Sequence, residues 1–382
     1  MIHIRPFAVA ASLATILAVV LTSCGQPPQP PPMTSTVIIA GATGNEPLIN
    51  DLAPYLAGIG EGSTVAILTD EGKPKVLATE TLGNLSNNDT ERADQIRALS
   101  DGALKLVSKA TATSPEQNPM EALSLGASII QAAQGKKQLI FTSSMLQTVG
   151  DFLMQNGLLD AQASDVVAAL KARGSLPPLK DVLVILAGLG QVQGSQSIDA
   201  DGRAKLTEFW VAILTASGAT VKIAPPSATT PRTNVKETVT PVQFQSNPVT
   251  VKNCRTVLSA TQVGFLPGTA QFRDPSAAQR TIKDVVALLR GCHGQVTITG
   301  TTSSEGTAAG NRHLAAARAQ AVAQILAAGL HTVPTDFVIR GLGYDMASNT
   351  VVNDRAADGS LEPVLANSNR KVVISVGQLA AS

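Results

Sequence analysis

Residues 311–322 read NRHLAAARAQAV, and their spacing predicts a helix with one charged side chain on its apolar face. Leu314, Arg318, Val322 and Ile325 follow one another at intervals of four, four and three residues, which places them on a single face. The other three are apolar, so this face packs against a core. A guanidinium there needs an anion or several acceptors, because an unpaired buried charge is costly.

Three arrangements would satisfy Arg318. It closes an internal salt bridge, it binds a ligand carboxylate through its planar guanidinium, or its long stem carries the charge out to solvent. Periodicity alone does not choose among them.

The segments around this helix alternate between strand and helix patterns. A first strand begins near Val257, and the later strands are predicted at 295–299, 337–340 and 371–376. The helices are predicted at 275–290 and 311–328. An open α/β sandwich is the natural packing for this order.

Four short motifs in this region read ITGTT at 298–302, NRHLAAARAQAV at 311–322, IRGLG at 339–343 and NRKV at 369–372. Together they resemble the OmpA-like peptidoglycan-binding domain of the OmpA/MotB/Pal family. The resemblance implies an OmpA-like α/β sandwich without catalytic activity. It also implies that the domain binds the diaminopimelate of the peptidoglycan stem peptide.

The resemblance assigns individual residues to this ligand site. The ligand-binding Arg of the family falls on Arg318, the Asn at the start of the helix on Asn311, and the first Arg of the last motif on Arg370. The Asp of the family's first loop falls on Ser303, which carries no charge. Glu305 would replace that Asp if the loop turned it inward. The change at Ser303 predicts that binding is weakened, redirected to a modified stem peptide, or absent.

The region before it predicts a separate α/β domain. Its strands are expected at 36–40, 64–69, 138–142, 181–187 and 220–224, and helices lie between them at 90–110, 118–133, 161–172 and 201–217. This alternation predicts a three-layer α/β/α domain with a mostly parallel sheet.

Two chemical hypotheses concern the turn after the first strand, which reads GATGNEP at 41–47. The first is nucleotide binding, with Asp70 as the ribose-binding acid, but the third glycine of that pattern is Pro47 here. The second is a weak resemblance to a von Willebrand factor A-type domain, supported by a hairpin expected near 73–75. That family holds a divalent metal, whereas the turn here offers Thr43 and Asn45 without carboxylates, so we expect no metal site.

The N-terminus predicts an exported lipoprotein. A short basic region and an apolar run end at Leu21-Thr22-Ser23-Cys24, which resembles a bacterial lipobox with Cys24 as the lipidated residue. A proline-rich tether follows. Of the three cysteines, Cys254 and Cys292 then remain as a candidate disulfide, with two buried thiols as the alternative.

The predicted organisation is a signal peptide at 1–23, a tether at 24–35, an A-type-like domain at 36–224, a Pro/Thr/Ser linker at 225–250 and an OmpA-like domain at 251–382. The net charge of +1 and the 3% aromatic content argue against nucleic acid as a partner and against sugar stacking. The four histidines form no metal-ligand pair. We therefore expect no enzyme activity, cofactor or metal.

Two functions remain open at this stage. In the first, the chain is an envelope lipoprotein that tethers the membrane to peptidoglycan. In the second, the OmpA-like module has lost its ligand and the chain is an assembly or adhesion scaffold that contacts unknown envelope proteins through its N-terminal domain.

Overall fold

The computed structural model describes residues 32–150, 152–233, 235, 237, 239–244 and 249–377. The predicted signal peptide and Cys24 lie outside these residues. None of the described helices combines the length and the hydropathy that a membrane span requires.

Twelve strands and eight α-helices are found in the described residues. The strands are β1 (Met33–Ala40), β2 (Leu48–Ile49), β3 (Ile59–Thr69), β4 (Val76–Thr81), β5 (Lys136–Phe141), β6 (Val182–Leu186), β7 (Thr220–Ile223), β8 (Thr229–Thr230), β9 (Arg255–Leu258), β10 (Val296–Thr301), β11 (Val338–Gly343) and β12 (Val372–Val376). The helices are α1 (Ala53–Leu56), α2 (Asp89–Lys109), α3 (Pro119–Gln131), α4 (Ala163–Ala172), α5 (Ala200–Ala216), α6 (Pro275–Leu288), α7 (Ala308–Leu330) and α8 (Pro363–Asn369).

The N-terminal domain is built on a six-stranded sheet in the order β4-β3-β1-β5-β6-β7. All neighbouring strands are parallel except β3 and β4, which form the predicted hairpin. Val37 and Ile39 of β1 join one core with α3, α4 and α5, whereas Ile38 and Ala40 join a second core with α1 and α2. Both faces of the sheet are therefore covered, which explains why its central strands are continuous apolar runs.

The C-terminal domain has a four-stranded sheet in the order β11-β10-β12-β9, with α6 and α7 packed together in its core. Two motif glycines allow α7 to lie directly on this sheet. A Cβ atom at Gly300 would stand 2.1 Å from the Ala315 carbonyl oxygen, and one at Gly341 would stand 2.3 Å from that of Arg312. A disulfide joins Cys254, just before β9, to Cys292, just after α6. The two domains confirm the predicted fold class.

The segment after β7, predicted as a linker, packs against the N-terminal domain. Its strand β8 pairs with β2, and Arg232, Val239 and Val242 are buried. Contacts between the two domains include two ion pairs formed by residues in or next to α4 and α8: Arg370 pairs with Asp165, and an Arg173 terminal nitrogen lies 2.7 Å from a Glu362 oxygen.

Candidate functional site

A cavity of about 650 Å³ lies where the two domains meet. The C-terminal domain supplies most of its wall, and the start of α4 supplies the rest through Gln162, Ser164 and Asp165. All four residues predicted for the ligand site line this one cavity: Ser303, Asn311, Arg318 and Arg370. The structure therefore brings together side chains that are up to 67 positions apart, as the hydrogen bond between Ser303 and Arg370 shows.

Arg318 lies on the wall of this cavity without a counter-ion. Its Nε donates to the Thr269 carbonyl at 2.9 Å, and its guanidinium carbon lies 5.2 Å from the centre of the Phe265 ring. Among the described residues, its two terminal nitrogens have no hydrogen-bond or ion-pair partner, although only 5% of the residue is exposed. Of the three arrangements considered above, an internal salt bridge and an extended solvent-facing side chain are therefore not observed.

Burial, and after it the like charge of Arg370, together lower the pKa of Arg318 to about 10. The guanidinium is still protonated at neutral pH. A cation that is held in a buried position and repelled by a neighbouring cation favours the approach of an anion.

A side-chain contact joins the loop before α7, which contains Ser303, to the first turns of α7, which contain Asn311. The Asn311 side-chain amide donates to the Ser303 carbonyl at 3.2 Å, and the Ser303 hydroxyl accepts from Arg370 at 3.1 Å. Thr307 caps the N-terminus of α7 through its side chain, which fixes the start of the helix. The helix start therefore holds the loop against the cavity.

Arg370 has its two terminal nitrogens engaged. One donates to Asp165 of the N-terminal domain, and the other donates to the Glu305 carboxylate at 2.7 Å as well as to the Ser303 hydroxyl. Glu305 therefore does turn toward the cavity, with about half of its side chain exposed. Arg370 holds two carboxylates at the cavity wall.

Asp165, Thr269 and Phe265 were not predicted as site residues. Asp165 lies in the first turn of α4, where acidic side chains are common because they favour the positive end of the helix dipole. No local pattern in the sequence distinguishes it from other acids in such positions. Its role depends on a partner 205 residues away.

A second polar cluster lies at the carboxyl end of the N-terminal sheet. One Glu46 oxygen accepts from the Thr43 hydroxyl at 2.9 Å, and the other accepts from the backbone and hydroxyl of Ser144 at 2.9 and 3.0 Å. Asp70 is fully buried beside Glu46, and neither of its side-chain oxygens accepts a hydrogen bond from the described residues. Burial, followed by the neighbouring Glu46 carboxyl, raises the pKa of Asp70 well above 3.8.

Arg232 reaches into this cluster from the segment after β8. It donates to the carbonyls of Val107, Ala110 and Gly41, and the Glu46 and Asp70 carboxyls attract its charge. The chain therefore supplies its own cation near these two acids.

The cluster corrects the expectation that the turn at 41–47 offers no carboxylate. The turn does bring a carboxylate, since Glu46 folds back so closely that a Cβ at Gly41 would stand 2.5 Å from its carboxyl carbon. The space where a nucleotide phosphate would approach Gly41 thus holds an acidic side chain. Within the described residues, no three His, Cys, Asp or Glu side chains form a metal-binding group.

Comparison with known proteins identifies the C-terminal region. Residues 264–358 match the model of the OmpA family. The chain carries an OmpA-like domain. The match includes Arg318, Asn311 and Ser303, whereas Arg370 lies beyond its end.

Solved structures of similar proteins cover about a third of the chain. The cell wall anchor of the T6SS from Pseudomonas aeruginosa is 26% identical, with 35% of this chain and 89% of that chain covered and a TM-score of 0.27. The OmpA-like domain of FopA1 from Francisella tularensis is 21% identical, with coverage of 34% and 77% and a TM-score of 0.24. An outer membrane protein from Borrelia burgdorferi is 16% identical, with coverage of 34% and 96% and a TM-score of 0.23. A search of curated proteins found no match to this sequence.

Proposed function

We propose that this chain is a non-catalytic lipoprotein of the bacterial cell envelope whose OmpA-like domain binds the diaminopimelate-containing stem peptide of peptidoglycan. Arg318 carries this proposal. Its guanidinium is buried, charged and without a counter-ion in the described part of the chain, and it lies on the wall of a cavity large enough for a peptide side chain. A carboxylate that enters the cavity would accept two hydrogen bonds from its terminal nitrogens.

The other charges on the cavity wall fit the second end of such a ligand. Diaminopimelate carries a carboxylate and an ammonium group on the same terminal carbon. Arg318 suits the carboxylate, and the acidic side chains held by Arg370 suit the ammonium group. The cavity therefore keeps negative charge, although Ser303 stands where the family has an Asp.

Sedimentation of the full chain with insoluble peptidoglycan tests this proposal. The wild-type chain is expected to co-sediment with peptidoglycan that contains diaminopimelate, and Arg318→Met is expected to remain in the supernatant. Arg312→Met is the matched control, because Arg312 is an exposed arginine on the same helix. Equal sedimentation of all three chains, or none by the wild type, contradicts the proposal.

Peptidoglycan that carries lysine in place of diaminopimelate provides a second control. Lysine lacks the terminal carboxylate, so it gives Arg318 no anion to bind. The wild-type chain is expected to bind it far more weakly. Equal binding to both polymers would show that the carboxylate is not what the domain recognises.

The membrane anchor in this proposal is a lipid on Cys24. Expression in a bacterium supplied with labelled palmitate tests it, with Cys24→Ser as the control. Label in the wild type but not in the variant supports the anchor. Two weak attachments on one chain, one to lipid and one to the cell wall, reinforce each other through effective concentration.

The scaffold function remains the second candidate, and the strand order favours it. The order β4-β3-β1-β5-β6-β7 with one antiparallel edge strand supports the resemblance to A-type domains. In this candidate, the N-terminal domain contacts envelope proteins and the cavity stays empty. Retention of envelope localisation and partner assembly by Arg318→Met in cells would support the scaffold over the tether.

A further inference from the structure

We infer that Asp165 of the N-terminal domain is itself a ligand-binding residue of the OmpA-like domain's cavity, where it receives the ammonium group of the stem peptide. This inference rests on the proposed function and deepens it. It makes the binding site a composite of both domains.

The cavity has two acids on its wall, Asp165 and Glu305. Glu305 lies on a loop with about half of its side chain exposed, so water competes for its carboxylate. Asp165 is only 4% exposed, and α4 and Arg370 fix its position. A carboxylate that is held in place and shielded from water gives the stronger contact to an ammonium group.

Asp165 also has binding capacity left. One of its oxygens accepts from Arg370, and the other has no hydrogen-bond partner among the described residues. Arg318 lies buried on the same wall, and its terminal nitrogens have no partner among the residues that the structure describes, which is the independent sign that this cavity takes a ligand. On this one cavity wall, Arg318 offers a cation for the carboxylate of a zwitterionic end and Asp165 offers an anion for its ammonium group.

A purely structural role for Asp165 explains the arrangement less well. A buried ion pair gains little net stability, because the desolvation of its two charges offsets their attraction. The domains already have a second ion pair, Arg173 with Glu362, away from this cavity. That pair therefore serves as the control for simple domain docking.

The test compares full-length variants by calorimetric titration with a soluble tripeptide that ends in meso-diaminopimelate. Asp165→Asn is expected to weaken binding about tenfold or more, since a charge-assisted hydrogen bond is lost. Glu362→Gln, which breaks the other interdomain pair, is expected to change affinity by less than about twofold. Equal losses in both variants, or unchanged or tighter binding by Asp165→Asn, would overturn the inference.

A chemical change in the probe gives a readout that does not depend on the folding of a variant. The same tripeptide with its diaminopimelate ammonium group acetylated is expected to bind the wild type about tenfold more weakly. In Asp165→Asn, acetylation is expected to cause little further loss, because the partner of that ammonium is already gone. Full sensitivity to acetylation in Asp165→Asn would assign the ammonium to another group and overturn the inference.

The outcomes also separate this inference from the proposed function. Binding that is lost in Arg318→Met but unchanged in Asp165→Asn keeps the proposed function and rejects the composite site. An absence of tripeptide and peptidoglycan binding by the wild type rejects both.

Discussion

Asp70 lies fully buried beside Glu46 at the carboxyl end of the parallel strands. Burial and the adjacent carboxyl raise the pKa of Asp70 well above its usual 3.8. The folded chain therefore keeps a proton that the unfolded chain releases above about pH 4. Stability from this group is present below that pH and is lost as the pH rises toward the raised folded-state pKa.

Asp70→Asn should abolish the loss of stability that Asp70 causes as the pH rises. The amide stays neutral at every pH and can donate to Glu46, so we expect the free energy of unfolding at neutral pH to rise by about 1–2 kcal/mol. Urea unfolding of both chains between pH 4 and pH 8.5 measures the effect. The variant should show the smaller decline with pH, and parallel curves would contradict the account.

Arg232→Met should strongly destabilise the N-terminal domain. The variant loses the donors to the carbonyls of Val107, Ala110 and Gly41, as well as the charge that attracts Glu46. Breaking a buried charge network of this kind costs about 3–5 kcal/mol. Urea unfolding should show this loss, whereas Arg97→Met, which removes an exposed arginine, should stay within about 0.5 kcal/mol of wild type.

Arg318→Met should separate stability from function. Methionine keeps most of the packing against Phe265 and removes a buried charge that has no counter-ion, so the free energy of unfolding should stay level or rise by up to about 2 kcal/mol. Thermal unfolding in the absence of peptidoglycan measures this. A clear loss of stability would mean that Arg318 is a structural residue and would weaken its assignment as the ligand-binding group.

Gly300→Ala should disrupt the packing of α7 on the sheet. Its Cβ would stand 2.1 Å from the Ala315 carbonyl oxygen. Because the clash would be with the backbone of α7, no side-chain movement can remove it. We expect a loss of about 3 kcal/mol or more. Gly291→Ala is the control, because a Cβ there meets no atom within 4 Å. Similar unfolding curves for the two variants would show that the close approach is not needed.

Much of the fold could be predicted from the sequence, because the signals are local. The 3.6-residue period predicted the helix at 275–290 and the structure has α6 at Pro275–Leu288. The predicted helix at 311–328 begins three residues too late, since Thr307 caps α7 and lies before the apolar pattern starts. The short helix α8, at Pro363–Asn369, was not predicted because seven residues carry too little periodicity.

The cavity between the domains was only partly predictable. Motif positions identified Arg318, Asn311, Ser303 and Arg370, and the structure places all four on one cavity. The contact of Asp165 with Arg370 was not visible, because their association depends on how two separately encoded domains dock. The return of Glu46 toward Asp70 and the burial of Arg232 were also missed, because both depend on tertiary packing within the N-terminal domain.

By itself, the sequence determined the alternation of strands and helices and the single arginine on an apolar helix face. These follow from side-chain periodicity, which acts over one or two turns of the chain. The tertiary structure alone decided which charges lie near one another: among the described residues Arg318 has no counter-ion, whereas Arg370 has two. Electrostatic pairing acts over a few ångströms in space and is independent of separation along the chain, so it is fixed only when the domains have packed.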